Sequence, residues 1–363
     1  MEDLSGRVLC SRKIQEDLER EHKERCIKLH LGLAEQFTLS SESRGRLREE
    51  EDDGDWRTIF QRDYDRLVWS DGHARLRNKS QTALHPVNQE ITTRLTHVIK
   101  VAQLAVRNCQ FLFLNPDLGG AIGIGHDNGH TPFGHAGERA ITEIVREIFG
   151  NQDYEFHHAR YGLEIVDRIE NGGKGINLSL ETRDGILNHS RGGGSIDAVA
   201  LKPFTPEGDV ATYADKFAYT SSDIRDFLKL GVIVESDLPQ AELRVLGCGD
   251  RYNKSRILDE LNYGLASSSL KEGRVCFTGE RREAFDVVRD WMYDNVYGQD
   301  RLEDEFAKAQ DMIKRVFTHV IEKRFKGLPQ EEAVSRTIDV VACMTDVSIM
   351  EYFDDISKPK RIY

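Results

Sequence analysis

The sequence predicts a mainly α-helical protein, and three observations support this fold class. Alternating polar and apolar residues, which indicate strands, are rare along the 363 residues. Residues 90–108 predict a long helix, because apolar side chains recur on one face at Leu95, Val98, Ile99, Val101, Ala102, Leu104 and Ala105. Helical patterns also cover residues 307–324 and 332–353. At most a small β-hairpin is expected, around residues 244–247 and 274–278.

Composition and charge exclude several classes of protein. Hydrophobic residues make up 39% of the chain and charged residues 31%, which is typical of a globular protein rather than a disordered one. The 62 acidic residues outnumber the 50 Lys and Arg, and the net charge of −12 argues against nucleic-acid binding as the main function. A site for phosphate groups must therefore be a local cluster of basic residues in an acidic protein.

Cysteine usage and hydropathy predict a cytoplasmic protein without a membrane partner. The six cysteines are scattered and never form a C-x-x-C pair, which argues against a zinc ribbon or a disulfide framework and for reduced thiols. No run of 18 apolar residues occurs, and the first residues lack the apolar segment of a signal peptide.

The first 55 residues are expected to form a separate charged segment. Residues 1–50 are dense in Arg, Lys and Glu, with leucines at helical spacing, so we expect short surface helices and a contact between copies of the chain. The acidic run at residues 48–55 is predicted to be a solvated linker.

Basic residues cluster within residues 57–82, against the acidic balance of the chain: Arg62, Arg66, Arg75, Arg77 and Lys79. Arginine forks and a lysine charge suit a polyphosphate, whose negative charge is spread over several oxygens. The alternative is a solvated helix face balanced by Asp63 and Asp65. The pattern alone leaves both interpretations open.

The stretch at residues 119–138 carries the clearest chemical signal, with four polar groups among glycines: His126, Asp127, His130 and His135. The His-Asp pair offers an imidazole nitrogen and a carboxylate oxygen at one point, a mixture that suits Mn, Fe, Ni, Co or Mg. The glycines and a proline bring the backbone close, so the other two histidines can face the same hollow. The alternative is a polar loop with chance histidines.

Helices on either side of this stretch offer further polar groups. His97 lies at the edge of the apolar face of residues 90–108, one turn after Arg94, where a lone histidine is more often a core residue. His157 and His158 open another helix. Glycine-rich segments at residues 171–175 and 191–195 lack the order of a phosphate-binding loop, so we predict surface loops there.

A later helix places three polar side chains along one side. Asp215, Tyr219 and Asp223 recur every four residues within residues 211–230. A carboxylate on a buried helix face needs a charged partner, and a metal ion is a natural one. The alternative is an acidic surface face.

In chain order, His97, His126-Asp127 and Asp215 resemble the H…HD…D pattern of the HD-domain metal-dependent phosphohydrolases. From about residue 57 to residue 353 the chain is similar to the deoxyguanosine triphosphate triphosphohydrolase branch of that family. The matching pieces are Arg62-Asp-Tyr-Asp-Arg66, Arg75-Leu-x-x-Lys79-Ser-Gln81, Arg94-Leu-Thr-His97, His126-Asp-x-Gly-His-Thr-Pro-Phe-Gly-His-x-Gly-Glu138, Asn188-His189-Ser190, Ala214-Asp215-Lys-Phe-Ala-Tyr219 and Met344-Thr-Asp346. The resemblance implies an HD-domain helical bundle at residues 56–363 with additional C-terminal helices, after a charged helical segment and acidic linker at residues 1–55.

The resemblance also implies roles for individual residues. One divalent metal ion, Mn, Mg or another transition metal such as Fe, Co or Ni, would be held by His97, His126, Asp127 and Asp215. The catalytic set would be His130, His135, His158 and Asp223, with His135 nearest the α-phosphorus. The substrate would be bound by Arg94, Lys216, Tyr219, Gln81 and Lys79.

The reaction implied by the resemblance is hydrolysis of a deoxynucleoside triphosphate (dNTP) to the deoxynucleoside and inorganic triphosphate. The preferred base and the need for a nucleotide activator stay open, and a homo-oligomer, a dimer or hexamer, is expected. Two alternatives remain: another HD phosphohydrolase, such as a nucleotide phosphomonoesterase or phosphodiesterase, and a catalytically silent nucleotide-binding regulator.

Overall fold

The computed structural model describes residues 11–50, 54–84, 86, 88–150, 152–190, 202–249, 251–297 and 300–358, and it confirms the mainly helical prediction. The helices are α1 (Arg12–Lys28), α2 (Ile59–Val68), α3 (Asp71–Arg75), α4 (Arg94–Leu112), α5 (Pro116–Gly125), α6 (His135–Phe149), α7 (His158–Glu164), α8 (Glu170–Gly173), α9 (Leu180–Asn188), α10 (Pro206–Lys229), α11 (Gln240–Val245), α12 (Lys254–Glu272), α13 (Glu280–Met292), α14 (Asp300–Arg324), α15 (Gln330–Ala342) and α16 (Asp346–Ser357). The helix predicted at residues 90–108 is α4, which begins after the capping hydroxyl of Thr93.

The described part of the chain contains no strand, so the small β-hairpin that the sequence allowed at most is absent there. Its first half lies partly in α11. Its second half is bonded to side chains of α12 instead of to a strand. The hydroxyl of Ser269 bonds the carbonyl and the amide of Cys276, each at 3.1 Å, and Ser268 bonds those of Thr278 at 3.2 and 3.1 Å. Because a helix satisfies these backbone groups, the segment needs no partner strand.

Two hydrophobic clusters form most of the core. The larger one joins α4, α5, α10, α12 and α13. In it, the ring of Phe217 packs edge to face with those of Phe277 and Phe285. The second joins α6 with α14, α15 and α16. Residues of both clusters' helices line the cavity described below, so packing of the core fixes where the polar side chains meet.

Glycines allow α5 to lie unusually close to α4. A Cβ atom at Gly123 would lie 2.8 Å from the Cα of Ala102, and one at Gly119 would lie 2.6 Å from the Sγ of Cys109. Both distances are too short for any residue with a side chain. The close approach brings the end of α5, and therefore His126, next to His97 on α4.

The acidic run is not simply a solvated linker where the structure describes it. Glu50 accepts hydrogen bonds from Arg62 at 3.0 Å and from Arg66 at 2.7 Å, and Asp55 accepts one from Arg57 at 2.7 Å. Partial burial works to raise the pKa of Glu50, but its bond from Arg66 lowers that pKa to about 2. Residues 51–53 lie outside the described residues.

Three of the five residues in the basic cluster are paired with carboxylates rather than open to a polyphosphate: Arg62, Arg66 and Arg75. Besides the two arginines bound to Glu50, Arg75 pairs with Glu170 at 3.0 Å. The carboxylate partners are therefore Glu50 and Glu170, and not Asp63 and Asp65, which the sequence suggested. The structure favours the structural interpretation of these arginines, because an arginine already paired with a carboxylate gains less from a phosphate.

Three smaller predictions can be compared with the structure. The glycine-rich segment at residues 171–175 is exposed over its first four residues, and Asn171 and Gly172 have left-handed φ values of 53° and 64°. The segment at residues 191–195 lies outside the described residues. Among the helices that the structure describes, none is long and apolar enough to cross a bilayer.

Candidate metal centre and active-site cavity

Three helices bring the H…HD…D residues to one point. His97 lies in the first turn of α4, and α10 carries Asp215 in its middle. His126 and Asp127 follow α5 directly, where the chain leaves the helix. The structure thus places together four side chains that are separated by as many as 118 positions in the sequence.

The ligand atoms of this group lie within a few ångströms of one another. The Nε2 of His97 is 2.9 Å from Oδ1 of Asp215 and 4.0 Å from Oδ2 of Asp127. The Nε2 of His126 is 3.6 Å from Oδ1 of Asp215 and 3.4 Å from Oδ1 of Asp127. Two imidazoles and two carboxylates therefore converge, as in a site for a borderline divalent ion.

The hydrogen bonding of His126 tests whether a metal ion fits. Its Nδ1 donates to the carbonyl of Gly123 at 2.8 Å, so the neutral ring carries its lone pair on Nε2. That buried Nε2 has no hydrogen-bond partner, although it faces the two carboxylates. A lone pair aimed at carboxylates is unfavourable alone and favourable toward a shared cation, so the residues fit a metal ion.

The electrostatics of the group agree with this fit. Burial works to lower the pKa of His126, but the carboxylates of Asp127 and Asp215 raise it to about 9. Burial works to raise the pKa of Asp127, but the charges of His126, His130 and Arg94 hold it well below its usual value. The group therefore attracts positive charge, which a divalent ion can supply in place of protons.

A second set of histidines surrounds Glu138. Its Oε1 lies 2.9 Å from Nδ1 of His130 and 2.9 Å from Nδ1 of His158. The two rings stack with their centroids 3.8 Å apart, and the ring of His135 stands edge-on to His130 at 5.4 Å. The side chain of His135 is exposed to the cavity, but desolvation by the surrounding protein lowers its pKa to about 4, which favours the neutral ring at pH 7.

A tight turn, called the His130–His135 turn below, connects two histidines that the sequence assigned to the catalytic set. Phe133 has a left-handed φ of 58° and Gly134 one of 56°. A Cβ on Gly134 would lie 2.4 Å from a guanidinium nitrogen of Arg94, so only glycine fits this position. The turn therefore holds His135, the first residue of α6, next to the cation of α4.

A cavity of about 720 Å³ opens onto both histidine sets. Most residues that the sequence assigned to the site lie on its wall: His97, Asp127, Asp215, His130, His135, His158, Asp223, Arg94, Lys216, Tyr219 and Gln81. The cavity is large enough for a nucleotide.

Lys79 is not on the cavity wall, although the sequence placed it with the substrate-binding residues. Its side chain is buried, and its ammonium group donates to the carbonyls of His130 and Ala342, the second at 2.9 Å. Burial lowers the pKa of Lys79 to about 7. Lys79 therefore supports the backbone at the start of the His130–His135 turn.

Asp223 is hydrogen-bonded to a phenol and a hydroxyl group at the cavity. Its Oδ2 accepts hydrogen bonds from Tyr297 at 2.8 Å and from Thr82 at 2.9 Å. Burial raises the pKa of Asp223 to about 7. Polar groups of this kind suit contact with a polar part of a ligand.

The sequence did not assign several polar residues of the cavity wall to the site, among them His189, Arg289, Tyr293 and Tyr297. The last three recur every four residues along α13 and its π-helical continuation, which was the available signal. His189 ends a short helix within a polar trio. Its ring lies 4.9 Å from that of His126, edge-on, although 63 positions separate them in the sequence.

Comparisons with known proteins agree with this site. Residues 94–220 match the HD domain family, and residues 275–355 match the phosphohydrolase-associated domain. The first range contains the four converging residues described above. The second range covers α13, which carries Arg289, together with α14, α15 and most of α16.

Relatives of similar length carry one name. The chain is 36% identical to the deoxyguanosinetriphosphate triphosphohydrolase-like protein of Caldanaerobacter subterraneus subsp. tengcongensis, over 88% of this chain and 91% of the relative. Proteins of the same name from Desulfatibacillum aliphaticivorans and Clostridium tetani are 33% and 34% identical, over 88% and 90% of this chain and 93% of each relative.

A solved structure of a hypothetical protein from Aquifex aeolicus is also similar, over 82% of this chain and 68% of that chain, with 17% identity and a TM-score of 0.46. The assignment of a family rests on the sequence relatives, because they match nearly the whole chain at 33% identity or more. The chain belongs to the HD-domain family of deoxyguanosinetriphosphate triphosphohydrolase-like proteins.

Proposed function

We propose that this protein hydrolyses deoxynucleoside triphosphates at the α-phosphorus, giving the deoxynucleoside and inorganic triphosphate. The observation that carries the proposal is that His135, the guanidinium of Arg94 and residues of the candidate metal group line one cavity, where Arg94 also contacts Asp127. The names of the relatives support the substrate class. The choice among the four bases is left to experiment.

Positive charge at the cavity supports a triphosphate substrate. A triphosphate carries about four negative charges near neutral pH, and the protein as a whole is acidic. Arg94, Lys216 and Arg289 reach the cavity wall from α4, α10 and α13. Three cations from three helices can contact phosphate oxygens on different sides, which favours one orientation of the chain of phosphates.

A metal ion held by the candidate metal group would add to the electrostatic stabilisation of the phosphates. His97, His126, Asp127 and Asp215 would hold the ion, and we propose Mn or Mg as its identity. When bound, such an ion polarises a phosphoryl oxygen and lowers the pKa of a water molecule. Arg94 donates to Oδ2 of Asp127 at 2.8 Å, so it links this carboxylate to the cavity.

His135 is the proposed acid–base residue. Its neutral ring accepts a proton from the attacking water as the new bond to the α-phosphorus forms. The same proton then passes to the 5′ oxygen of the sugar as the bond between that oxygen and phosphorus breaks. Glu138 holds His130 and His158 in fixed orientations beside it.

We propose that Asp223 contacts the sugar, in place of the role beside the histidines that the sequence predicted. Asp223 lies among Tyr297 and Thr82, and Gln81 and Tyr219 lie on the same cavity wall. Carboxylate, phenol and amide groups suit the hydroxyl of a deoxyribose and the edge of a base.

Product analysis tests the proposed function. The purified full-length protein is incubated with each dNTP and Mn or Mg in water enriched in ¹⁸O, and nucleosides and phosphates are resolved by ion-exchange chromatography. We expect a deoxynucleoside without label and triphosphate with one ¹⁸O atom. The variant His126→Ala serves as the control and should release neither product.

Two other results would replace the proposal. Stepwise release of orthophosphate would indicate a phosphomonoesterase, which needs the metal group but not a triphosphate site. No turnover with any dNTP, alone or as a mixture that supplies an activator, would indicate a nucleotide-binding regulator. A homo-oligomer in the cytoplasm stays part of the proposal, and sedimentation velocity of the same sample measures the oligomeric state.

A further inference from the structure

Arg139 is a cation on the cavity wall that has no role in the proposed function so far. It lies on α6 one helical turn after His135, and both side chains line the cavity. Residues four positions apart share one face of a helix and are separated by about 6 Å along its axis. Arg139 therefore lies beside the proposed acid–base residue.

Within the described ranges of the chain, the guanidinium of Arg139 makes no hydrogen bond and no ion pair. It contacts the ring of Phe306 on α14, with its Cζ atom 5.6 Å from the ring centroid. Such a cation–π contact orients the guanidinium without neutralising its charge. Arg94 and Arg289, on the same wall, are each paired with a carboxylate.

Lys314 on α14 holds the carboxylate that would otherwise pair with Arg139. Glu143 lies one turn after Arg139 on α6 and also lines the cavity, at a spacing where opposite charges on a helix commonly interact. Its Oε2 instead accepts a hydrogen bond from the ammonium group of Lys314 at 2.5 Å. Because Glu143 is engaged, Arg139 keeps all its N–H donors available to the cavity.

We propose that Arg139 binds the terminal phosphate of the substrate and that Lys314 keeps it available by holding Glu143. The inference rests on the proposed function, in which His135 lies at the α-phosphorus. A residue one turn further along the same helix face then reaches the phosphates that follow the α-phosphate. A guanidinium binds two oxygens of a terminal phosphate at once.

This role makes Arg139 a residue that selects the length of the phosphate chain. A diphosphate lacks the terminal group, so it gains little from Arg139, whereas a triphosphate gains a charge-assisted contact. The competing interpretation is an arginine that only packs on Phe306 and is otherwise solvated. That interpretation predicts the same affinity for a triphosphate with and without the guanidinium.

Calorimetric titration with inorganic triphosphate tests the inference without turnover. The full-length protein is titrated in excess Mg²⁺, and pyrophosphate is the shorter probe. We expect Arg139→Gln to raise the Kd for triphosphate about tenfold and to leave the Kd for pyrophosphate within about twofold. The control Arg315→Gln, whose arginine pairs with Asp311 on α14 at 2.9 Å, should change neither Kd.

The ion pair of Lys314 and Glu143 gives a second test that a merely structural role would fail. Lys314→Gln releases Glu143 to pair with Arg139, so we expect the Kd for triphosphate to rise about threefold or more. Adding Glu143→Gln removes the competing carboxylate and should restore the wild-type Kd within about twofold.

An unchanged Kd for triphosphate in Arg139→Gln, or no recovery in the double variant, would overturn the inference. So would a wild-type protein that binds no triphosphate. If Arg139→Gln does not fold, judged by circular dichroism, the Lys314 variants decide. A protein that binds triphosphate through Arg139 but hydrolyses no dNTP would keep this site and defeat the proposed function. A dNTP hydrolase whose Arg139→Gln variant binds triphosphate normally would do the opposite.

Discussion

The carboxylate of Asp346 accepts a hydrogen bond from the backbone amide of Phe133 at 2.8 Å, between residues 213 positions apart. Phe133, in the His130–His135 turn, has a left-handed φ, a conformation that costs about 1 kcal/mol or more for a residue with a side chain. The other oxygen of Asp346 accepts from the amide and hydroxyl of Ser80 at 2.8 and 2.6 Å. The C-terminal helices thus hold the turn that carries His135.

This contact predicts that Asp346→Asn lowers kcat without loss of the metal. An asparagine cannot accept all three hydrogen bonds, so the turn relaxes and His135 moves from its position. We expect kcat to fall by about tenfold to a hundredfold, the range for a small displacement of a catalytic group. Steady-state kinetics and metal titration measure both quantities.

A matched control for this variant lies in the same region. Asp339 on α15 pairs with Arg168 at 2.7 Å and has no bond to the turn. Asp339→Asn should therefore keep its kcat within about twofold. An equal loss of kcat in both variants would show that general weakening of the C-terminal helices, rather than the turn, explains the effect.

Removal of His135 should separate chemistry from metal binding. We expect His135→Gln to keep its metal content and to lower kcat by about a hundredfold or more, the size of a general acid–base contribution. Because desolvation by the surrounding protein lowers the pKa of His135, the acidic limb of wild-type kcat/KM that belongs to this residue should lie below the ordinary histidine value of about 6.5. A limb near the ordinary histidine value, lost in the variant, would contradict this assignment.

Arg94→Ala should weaken substrate capture. The guanidinium is buried at the cavity wall, and we expect KM for the dNTP to rise at least about tenfold, as for loss of a charge-assisted hydrogen bond. Arg75→Ala is the control, because Arg75 pairs with Glu170 away from the cavity and should leave KM unchanged. An unchanged KM in Arg94→Ala would exclude its phosphate role.

Arg289 gives a similar test on a residue that the sequence did not assign. Its side chain pairs with Asp290 at 2.8 Å and also reaches the cavity. Arg289→Gln should raise KM by about tenfold and leave the metal count unchanged. Asp290→Asn removes one of the two carboxylates that pair with Arg289 but not the cation, so its KM should not rise. A rise in KM there would show that the effect comes from the structure of the helix.

Asp223 predicts a dependence of stability on pH. Burial raises its pKa to about 7, so the folded state holds a proton that the unfolded state releases at lower pH. The contribution of Asp223 to stability is therefore greatest below its ordinary pKa and falls as pH rises toward 7. Asp223→Asn should raise the melting temperature by an amount that grows between about pH 4 and pH 7 and is constant above. A gain that does not change with pH would contradict the raised pKa.

The candidate metal group was predictable from the sequence because its parts lie in strong local patterns. Apolar spacing on α4 fixes the face that carries His97, and the four-residue spacing on α10 places Asp215, Tyr219 and Asp223 on one side. The glycines before His126 indicated that this segment packs closely against another one, but they did not indicate which one. Helix periodicity thus placed these side chains on common helix faces, and the resemblance to the HD-domain family joined them into one group.

The tertiary structure alone decided which inward faces share a cavity and which charges pair. His189 joins the metal group, Lys79 bonds the carbonyl of His130 behind the cavity, and Arg66 is bound to Glu50, although local sequence resembles a phosphate site in the last two cases. Local spacing sets the direction of a side chain relative to its own helix, whereas the partner of a charge depends on contacts between segments far apart in the chain. Those contacts form only when the core packs.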